Sequence, residues 1–214
     1  RFDLSTIDDY LFVDNYFWFV SEGVAGRWDF NEDAGDYFEF NVRNPNSFPQ
    51  SVSSLTLFEE DLWVGSIETG LYRFDIENLS LKKHYQFDMN ESNSLQTSIV
   101  SDLLVDSSNK LWVGSGGDGL FLYDTAIDGF IHKGIEDGLT STSIIQLFSI
   151  SDIFFVNTRS GINYFQFDDI SFSSLDGEDG LNIQNYDELM FYMVDERLII
   201  KDETEKYSVT YSDL

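Results

Sequence analysis

Apolar residues along this chain come in short runs separated by polar turns, never in long stripes. The runs at residues 7–14 (IDDYLFVD), 52–60 (VSSLTLFEE), 99–106 (IVSDLLVD) and 144–152 (IIQLFSISD) each lead through a polar turn into a second run centred on an aromatic residue. A third run follows, opening on Gly-Leu or its equivalent, and then a fourth, such as 81–88 (LKKHYQFD) or 129–135 (GFIHKGI). These runs are rich in β-branched and aromatic residues and bounded by Gly, Asn, Asp and Ser, which is strand and turn chemistry. No segment keeps a 3.6-residue apolar period over helix length. No apolar run approaches the roughly 20 residues of a membrane helix.

The second runs are copies of one another. LWVGSIETGLYRFD (62–75) and LWVGSGGDGLFLYD (111–124) place Trp63 and Trp112 49 residues apart. A weaker copy, IFFVNTRSGINYFQFD (153–168), puts Phe154 in the Trp place 42 residues further on. FWFVSEGVAGRWD (17–29) sets Trp18 45 residues before Trp63, and RLIIKDETEKYSV (197–209) is a degraded fifth copy with Ile199 in that place. Four short strands per unit, recurring at about 45 residues, predict an all-β fold, a β-propeller of four-stranded blades. The blades fall at about residues 5–42, 51–88, 98–135, 143–175 and 186–214, in a single domain over 1–214. A large flat side chain suits the wedge between twisted sheets. Gly23, Gly70, Gly119 and Gly161 mark turns re-entering the sheet, where a residue without Cβ takes positive φ at little cost.

Two readings of the blade count stand. The tail offers three strands, and RFDL at 1–4 would supply a fourth and close a five-bladed ring. Alternatively the chain is a fragment of a larger propeller, whose open ends would expose apolar faces. The start on Arg1 fits a piece of something longer.

Charge narrows the partners. Twelve Lys and Arg stand against 39 Asp and Glu, a net −27, with 16% aromatics. So many aromatics argue for a packed core rather than a disordered acidic segment. Nucleic acid and anionic membranes are poor partners for such a surface, because binding them rests on Lys and Arg charge, so no nucleic-acid partner is expected. The absence of cysteine removes disulfide, thiolate-metal and Cys-nucleophile chemistry. With only His84 and His132, in unrelated strands, no histidine metal site or triad is expected. The acidic patches at 31–36, 88–93 and 176–180 lack EF-hand spacing and read as solvated turns, so neither metal nor cofactor is expected.

The LWVGSxxxGLxxxD motif, preceded by segments such as NESNSLQTSIVSDLLVDSSNK (90–110), resembles the two-component regulator propeller repeat. Ser94-Leu95, Gly138-Leu139 and Gly180-Leu181 stand before inner strands as that family places them, with Ser47-Phe48 as a variant. Val20 and Val156 depart from it by replacing the motif Gly. The resemblance implies the extracytoplasmic sensor region of a membrane-anchored hybrid histidine kinase or diguanylate cyclase, periplasmic and without catalysis of its own. It does not imply a ligand.

Propellers bind at the mouth of the central channel. Aligning the inner strands on Val13, Phe58, Val105 and Ile150 gives a polar column four residues earlier: Asp9, Ser54, Ser101 and Gln146. The fifth blade contributes Met190, or Glu188 if its strand slips by two. Ser66, Ser115 and the cationic Arg159 lie in the turns after the aromatic strands. The expected partner is a small molecule, an oligosaccharide among the candidates. The column also reads as plain channel lining, and Arg159 as a local ion pair. A protein-binding scaffold or homodimer is the alternative function. A glycosidase would need two carboxylates across a ring closure, with Asp9 and Glu188 as the pair.

Overall fold

The computed structural model describes residues 6–39, 41, 43–44, 46–150, 152–166, 169–175, 183, 186, 189–194, 197–201 and 206–210. Each repeat folds as an antiparallel meander. Blade one comprises β1 (Ile7–Val13), β2 (Tyr16–Ser21), β3 (Val24–Asp29) and β4 (Ala34–Phe38). Blade two comprises β5 (Val52–Phe58), β6 (Asp61–Ser66), β7 (Gly70–Asp75) and β8 (Leu81–Tyr85). Blade three comprises β9 (Val100–Val105), β10 (Leu111–Ser115), β11 (Leu120–Asp124) and β12 (Gly129–Lys133). Blade four comprises β13 (Ile144–Ile150), β14 (Ile153–Thr158), β15 (Gly161–Gln166) and β16 (Asp169–Leu175). Blade five shows three strands among the described residues, β17 (Met190–Val194), β18 (Arg197–Lys201) and β19 (Lys206–Thr210). The fold is thus an all-β, five-bladed propeller arrangement, with no α-helix among the described residues. The N-terminal tetrapeptide expected to close the ring, the acidic patch at 176–180 and Glu188 lie outside the described residues.

The first strand of each blade lies beside the first strand of the next, β1 by β5, β5 by β9 and β9 by β13. Blade five joins blade four through Phe148 and Phe191, whose ring centroids are 4.1 Å apart. Among the described residues the core forms four apolar layers, one between each pair of successive blades. Trp18, Leu55, Leu62 and Val64 fill the first, and Trp63, Leu103, Leu111 and Val113 the second. Trp112, Leu147, Phe154 and Val156 fill the third, and Phe155, Ile162, Leu198 and Ile200 the fourth. Trp18, Trp63 and Trp112 are at most 1% exposed. Each takes roughly 150–250 Å² out of water, on the order of 4 kcal/mol.

The fourth repeat corrects the sequence alignment by one residue. Phe155 pairs with Phe148 as Trp63 pairs with Thr56, so Phe155, not Phe154, holds the Trp place. Phe154 faces back onto Trp112, centroids 5.1 Å apart. The cause is a shorter hairpin. Thr158 pairs with Gly161, whereas Ser66 pairs with Gly70, so spacing counted from the glycine shifts by one. Asn157, buried, rather than Val156, therefore stands where the motif Gly stands in blades two and three.

That motif glycine answers a close approach. A Cβ on Gly65 would lie 2.6 Å from Val100 Cγ1 of the next blade, and one on Gly114 2.8 Å from Ile144 Cγ2. Gly114→Val is expected to destabilise the domain by about 1–3 kcal/mol, the usual cost of overpacking, measured as a shift in urea midpoint. A neutral result would mean that the blades do not approach this closely. His84 and His132 prove to be equivalent. In each, the ring Nε2 meets a carbonyl of the preceding hairpin, His84 at Thr69 O (2.6 Å) and His132 at Asp118 O (2.8 Å). Both have structural partners.

Candidate functional site

A bulge interrupts the pairing of every inner strand in blades one to four, between Ile7 and Asp9, Val52 and Ser54, Val100 and Asp102, and Ile144 and Gln146. A bulge leaves local backbone groups without ladder partners and re-aims side chains. At this height each blade reaches across to the next. The Leu55 N–H donates to Asp9 Oδ2 at 2.8 Å, the Leu103 N–H to Ser54 Oγ at 3.0 Å and the Leu147 N–H to Asp102 Oδ2 at 2.6 Å. The Ser54 hydroxyl donates to Asp102 Oδ1 at 3.2 Å. A single side-chain ladder therefore staples four blades.

The ladder settles the register of the polar column. Its members are Asp9, Ser54, Asp102 and Gln146, since Leu55, Leu103 and Leu147 each follow the equivalent residue in the next blade. Asp102 thus replaces Ser101. Blade three differs because its first hairpin is longer: Val105 pairs with Leu111, where Phe58 pairs with Asp61. Asp106 holds that longer turn by accepting the N–H groups of Ser108 (2.9 Å) and Lys110 (3.0 Å). The sequence DSSNK, with its Asp at the head of a polar turn, carried the signal. Ser101 occupies the bulge itself, and its Oγ is buried with no hydrogen-bond partner among the described residues. In blade five Met190 pairs with Lys201 and is 55% exposed, so the described strand puts no carboxylate at this height.

Burial, opposed by its backbone hydrogen bonds, raises the pKa of Asp9. The same burial, reinforced by the like charge of Asp9, pushes Asp102 up to about 7 against the pull of the Leu147 and Leu103 N–H groups. Two carboxylates of the ladder thus have their ionisation made costly by burial.

Around them opens a cavity of about 410 Å³ lined by Asp8, Asp9, Ser53, Ser101, Asp102 and Gln146, with Tyr10 and Leu104 among its apolar members. Among the described residues no Lys, Arg or His lines it. A second cavity, about 770 Å³, shares Asp8 and Ser53 with it and extends over blades one and two past Glu22, Phe38, Gln50 and Ile67. It lies where the second hairpin of blade one is short: Ser21 pairs with Val24, where blade two spans Ser66 to Gly70. Asp8 fixes that hairpin by accepting the Glu22 N–H at 2.9 Å. Both volumes fall in the range of small-molecule sites.

The turn residues serve a different end. Ser66 Oγ donates to Gln50 O at 2.7 Å and accepts the N–H groups of Glu68 and Thr69. Ser115 Oγ donates to Gly119 O at 2.8 Å and accepts the Asp118 N–H. Both serines are fully buried and close their hairpins from within. Arg159 is exposed, its backbone N–H bonded to Ser143 O at 3.0 Å, and it lines neither cavity.

No protein-family model matches the chain, and no curated protein matches it by sequence. Solved structures do. The extracellular domain assigned to the hybrid two-component system BT3049 of B. thetaiotaomicron aligns over 100% of this chain with a TM-score of 0.78 at 15% identity. The corresponding domain of BT4673 from the same organism aligns over 95% with a TM-score of 0.63 at 16% identity. The computationally designed protein Ika8 aligns over 89% of this chain and 54% of its own, TM-score 0.61, at 14% identity. This chain spans 30% of the BT3049 chain and 27% of the BT4673 chain. At these identities the likeness is one of fold: the chain has the propeller architecture of extracellular domains from hybrid two-component systems.

Proposed function

We propose that this chain is a sensory, non-catalytic propeller domain of a bacterial signal-transduction protein, held outside the cytoplasm, that reads a small molecule at the channel mouth. What carries the reading is the fold likeness over the whole chain to an extracellular domain of a hybrid two-component system, together with the LWVGS repeats. Among the described residues no helix is long and apolar enough to cross a membrane.

The site favours a neutral, hydroxyl-bearing ligand. Carboxylate, amide and hydroxyl groups line the two neighbouring cavities and, among the described residues, no cation does, so an anion is disfavoured there while sugar hydroxyls would find acceptors. Asp9 and Asp102 each accept two backbone N–H groups, a role that fixes blades rather than one that activates water.

A thermal-shift screen against neutral oligosaccharides, with calcium and small anions alongside, tests this. A ligand at 100 times its Kd adds about 2.7 kcal/mol, which for a domain of this size is a rise of roughly 5–10 °C. Gln146→Trp, which fills the exposed side of the column, is expected to abolish that shift without lowering the ligand-free midpoint. A blank across all neutral sugars would sink the ligand reading and favour the scaffold, for which the exposed Tyr10 and Phe12 speak.

A further inference from the structure

Ser54 stands between two carboxylates and has one proton to give. It is buried, and its hydroxyl donates to Asp102 Oδ1 at 3.2 Å while accepting the Leu103 N–H at 3.0 Å. The Asp9 carboxylate draws on the same hydroxyl. A serine hydroxyl donates only once, so with both carboxylates ionised one of them goes without it. Their other bonds come from the backbone. Asp9 accepts the N–H groups of Tyr10 and Leu55, both at 2.8 Å, and Asp102 those of Leu103 at 2.8 Å and Leu147 at 2.6 Å. The surrounding strands offer no counter-charge. From β1, Asp8 and Tyr10 line the same cavity. β5, β10 and β13 carry no titratable side chain. Tyr16 of β2 and Asp61 of β6 stand at the opposite ends of their strands. Among the described residues no three carboxylates or histidines come together to hold a metal ion.

One added proton resolves the conflict. Placed on Asp102 Oδ1, it lets Asp102 donate to Ser54 Oγ, and the Ser54 O–H is released to serve Asp9. Every hydrogen bond then runs one way, from Asp102 through Ser54 to Asp9, and bonds aligned in a chain strengthen one another. We propose that Asp9, Ser54 and Asp102 form a proton-operated switch across blades one to three, in which uptake of one proton on Asp102 turns the Ser54 hydroxyl towards Asp9, so that the domain reads the acidity of its surroundings. The proton comes from solvent, because Asp9 and Asp102 line the cavity of about 410 Å³. Burial and the charge of Asp9 raise Asp102 to about 7, so the switch works near neutrality. What it moves is the contact between blades. Leu147 of blade four hangs on Asp102, and Leu55 of blade two hangs on Asp9. A neutral carboxyl accepts less strongly than a carboxylate, and Asp9 gains a donor as Asp102 gains its proton. One protonation is thus felt at two blade boundaries. The switch needs no ligand, so a blank oligosaccharide screen leaves it standing.

Backbone amide NMR of the whole chain, titrated through the Asp102 midpoint, tests this. The Leu147 and Leu55 N–H resonances are expected to move together at one midpoint, although they bond to different carboxylates. In Ser54→Ala, Leu147 is expected to keep its step, while the displacement of Leu55 at that midpoint falls by at least half. The Leu147 step also reports that this variant is folded. Asp102→Asn is expected to abolish the step at both amides and to hold Leu55 near its low-pH position, because the Asn side-chain N–H donates to Ser54 as the protonated carboxyl does. If Leu55 moves equally in the parent and in Ser54→Ala, the two carboxylates communicate by charge alone and the switch is overturned. It is overturned equally if Leu55 in Asp102→Asn sits at its high-pH position, a result that does not depend on Ser54→Ala folding. If neither amide titrates near neutrality in the parent, no proton is taken up there and the proposal fails.

Discussion

Replacing Trp112 by alanine is expected to destabilise the domain by about 4–6 kcal/mol, enough to lower its thermal midpoint by roughly 10–20 °C. The indole is fully buried between blades three and four, against Phe154 at 5.1 Å and Phe165 at 5.2 Å. Truncation leaves a cavity between two sheets, which strand pairing within each blade prevents from collapsing. Aromatic truncations of this kind cost about 3–5 kcal/mol. The indole N–H also donates to Asp106 Oδ2 at 2.7 Å, and Asp106 is the buried residue that closes the first hairpin of its blade. Losing that bond adds about 1 kcal/mol or more. Trp112→Phe is expected to cost less than half as much, because Phe155 already fills the equivalent place in blade four. Chemical denaturation of the two variants beside the parent decides the matter. A cost below about 1.5 kcal/mol for the alanine variant would mean that the aromatic column is not what holds neighbouring blades together.

The blades were legible in the sequence because their period is written in large residues. Trp18, Trp63 and Trp112 recur with their flanking turns, and the structure puts all three in the same place between successive sheets. Legibility failed where hairpin length changes. One residue lost from the second hairpin of blade four moved Phe155 out of alignment, and the longer first hairpin of blade three hid Asp102 behind Ser101. Both errors are of register, and in a strand a slip of one residue turns every side chain to the opposite face. What one strand cannot show is the partner across the blade boundary. Asp9, Ser54 and Asp102 reveal themselves as one ladder only once Leu55, Leu103 and Leu147 are brought beside them. The cavities were out of reach for a similar reason, since the larger one depends on the short Ser21–Val24 hairpin meeting Gln50 and Ile67 from the next blade.

The ladder also dictates how stability varies with pH. Asp102, with its pKa pushed by burial from 3.8 in the unfolded chain to about 7, keeps a proton on folding that the unfolded chain has released between those values. The folded state therefore binds more protons in that window, and stability falls as pH rises from about 4 to about 7. Asp9, shifted in the same direction, adds to the fall. Asp128 works oppositely and in another window. Burial tends to raise it, but the Lys83 ammonium and the Tyr123 and Tyr85 hydroxyls hold it at about 2, so its stabilisation is complete above pH 4 and lost between 4 and 2. Urea midpoints are thus expected to pass through a maximum near pH 4 and to decline by about 2–4 kcal/mol of stability towards neutrality, a three-unit shift being worth about 4 kcal/mol at most. Asp102→Ser separates this from the general repulsion of an acidic chain, because every other carboxylate is common to both proteins. Serine at this place is already the solution of blade two, where Ser54 accepts the next blade's N–H without charge. The variant is expected to lose at least half of the decline between pH 4 and 7 and to equal or exceed the parent at pH 8. Parallel curves for parent and variant would show that Asp102 ionises in the ladder without penalty, and that the acidic surface alone sets the pH response.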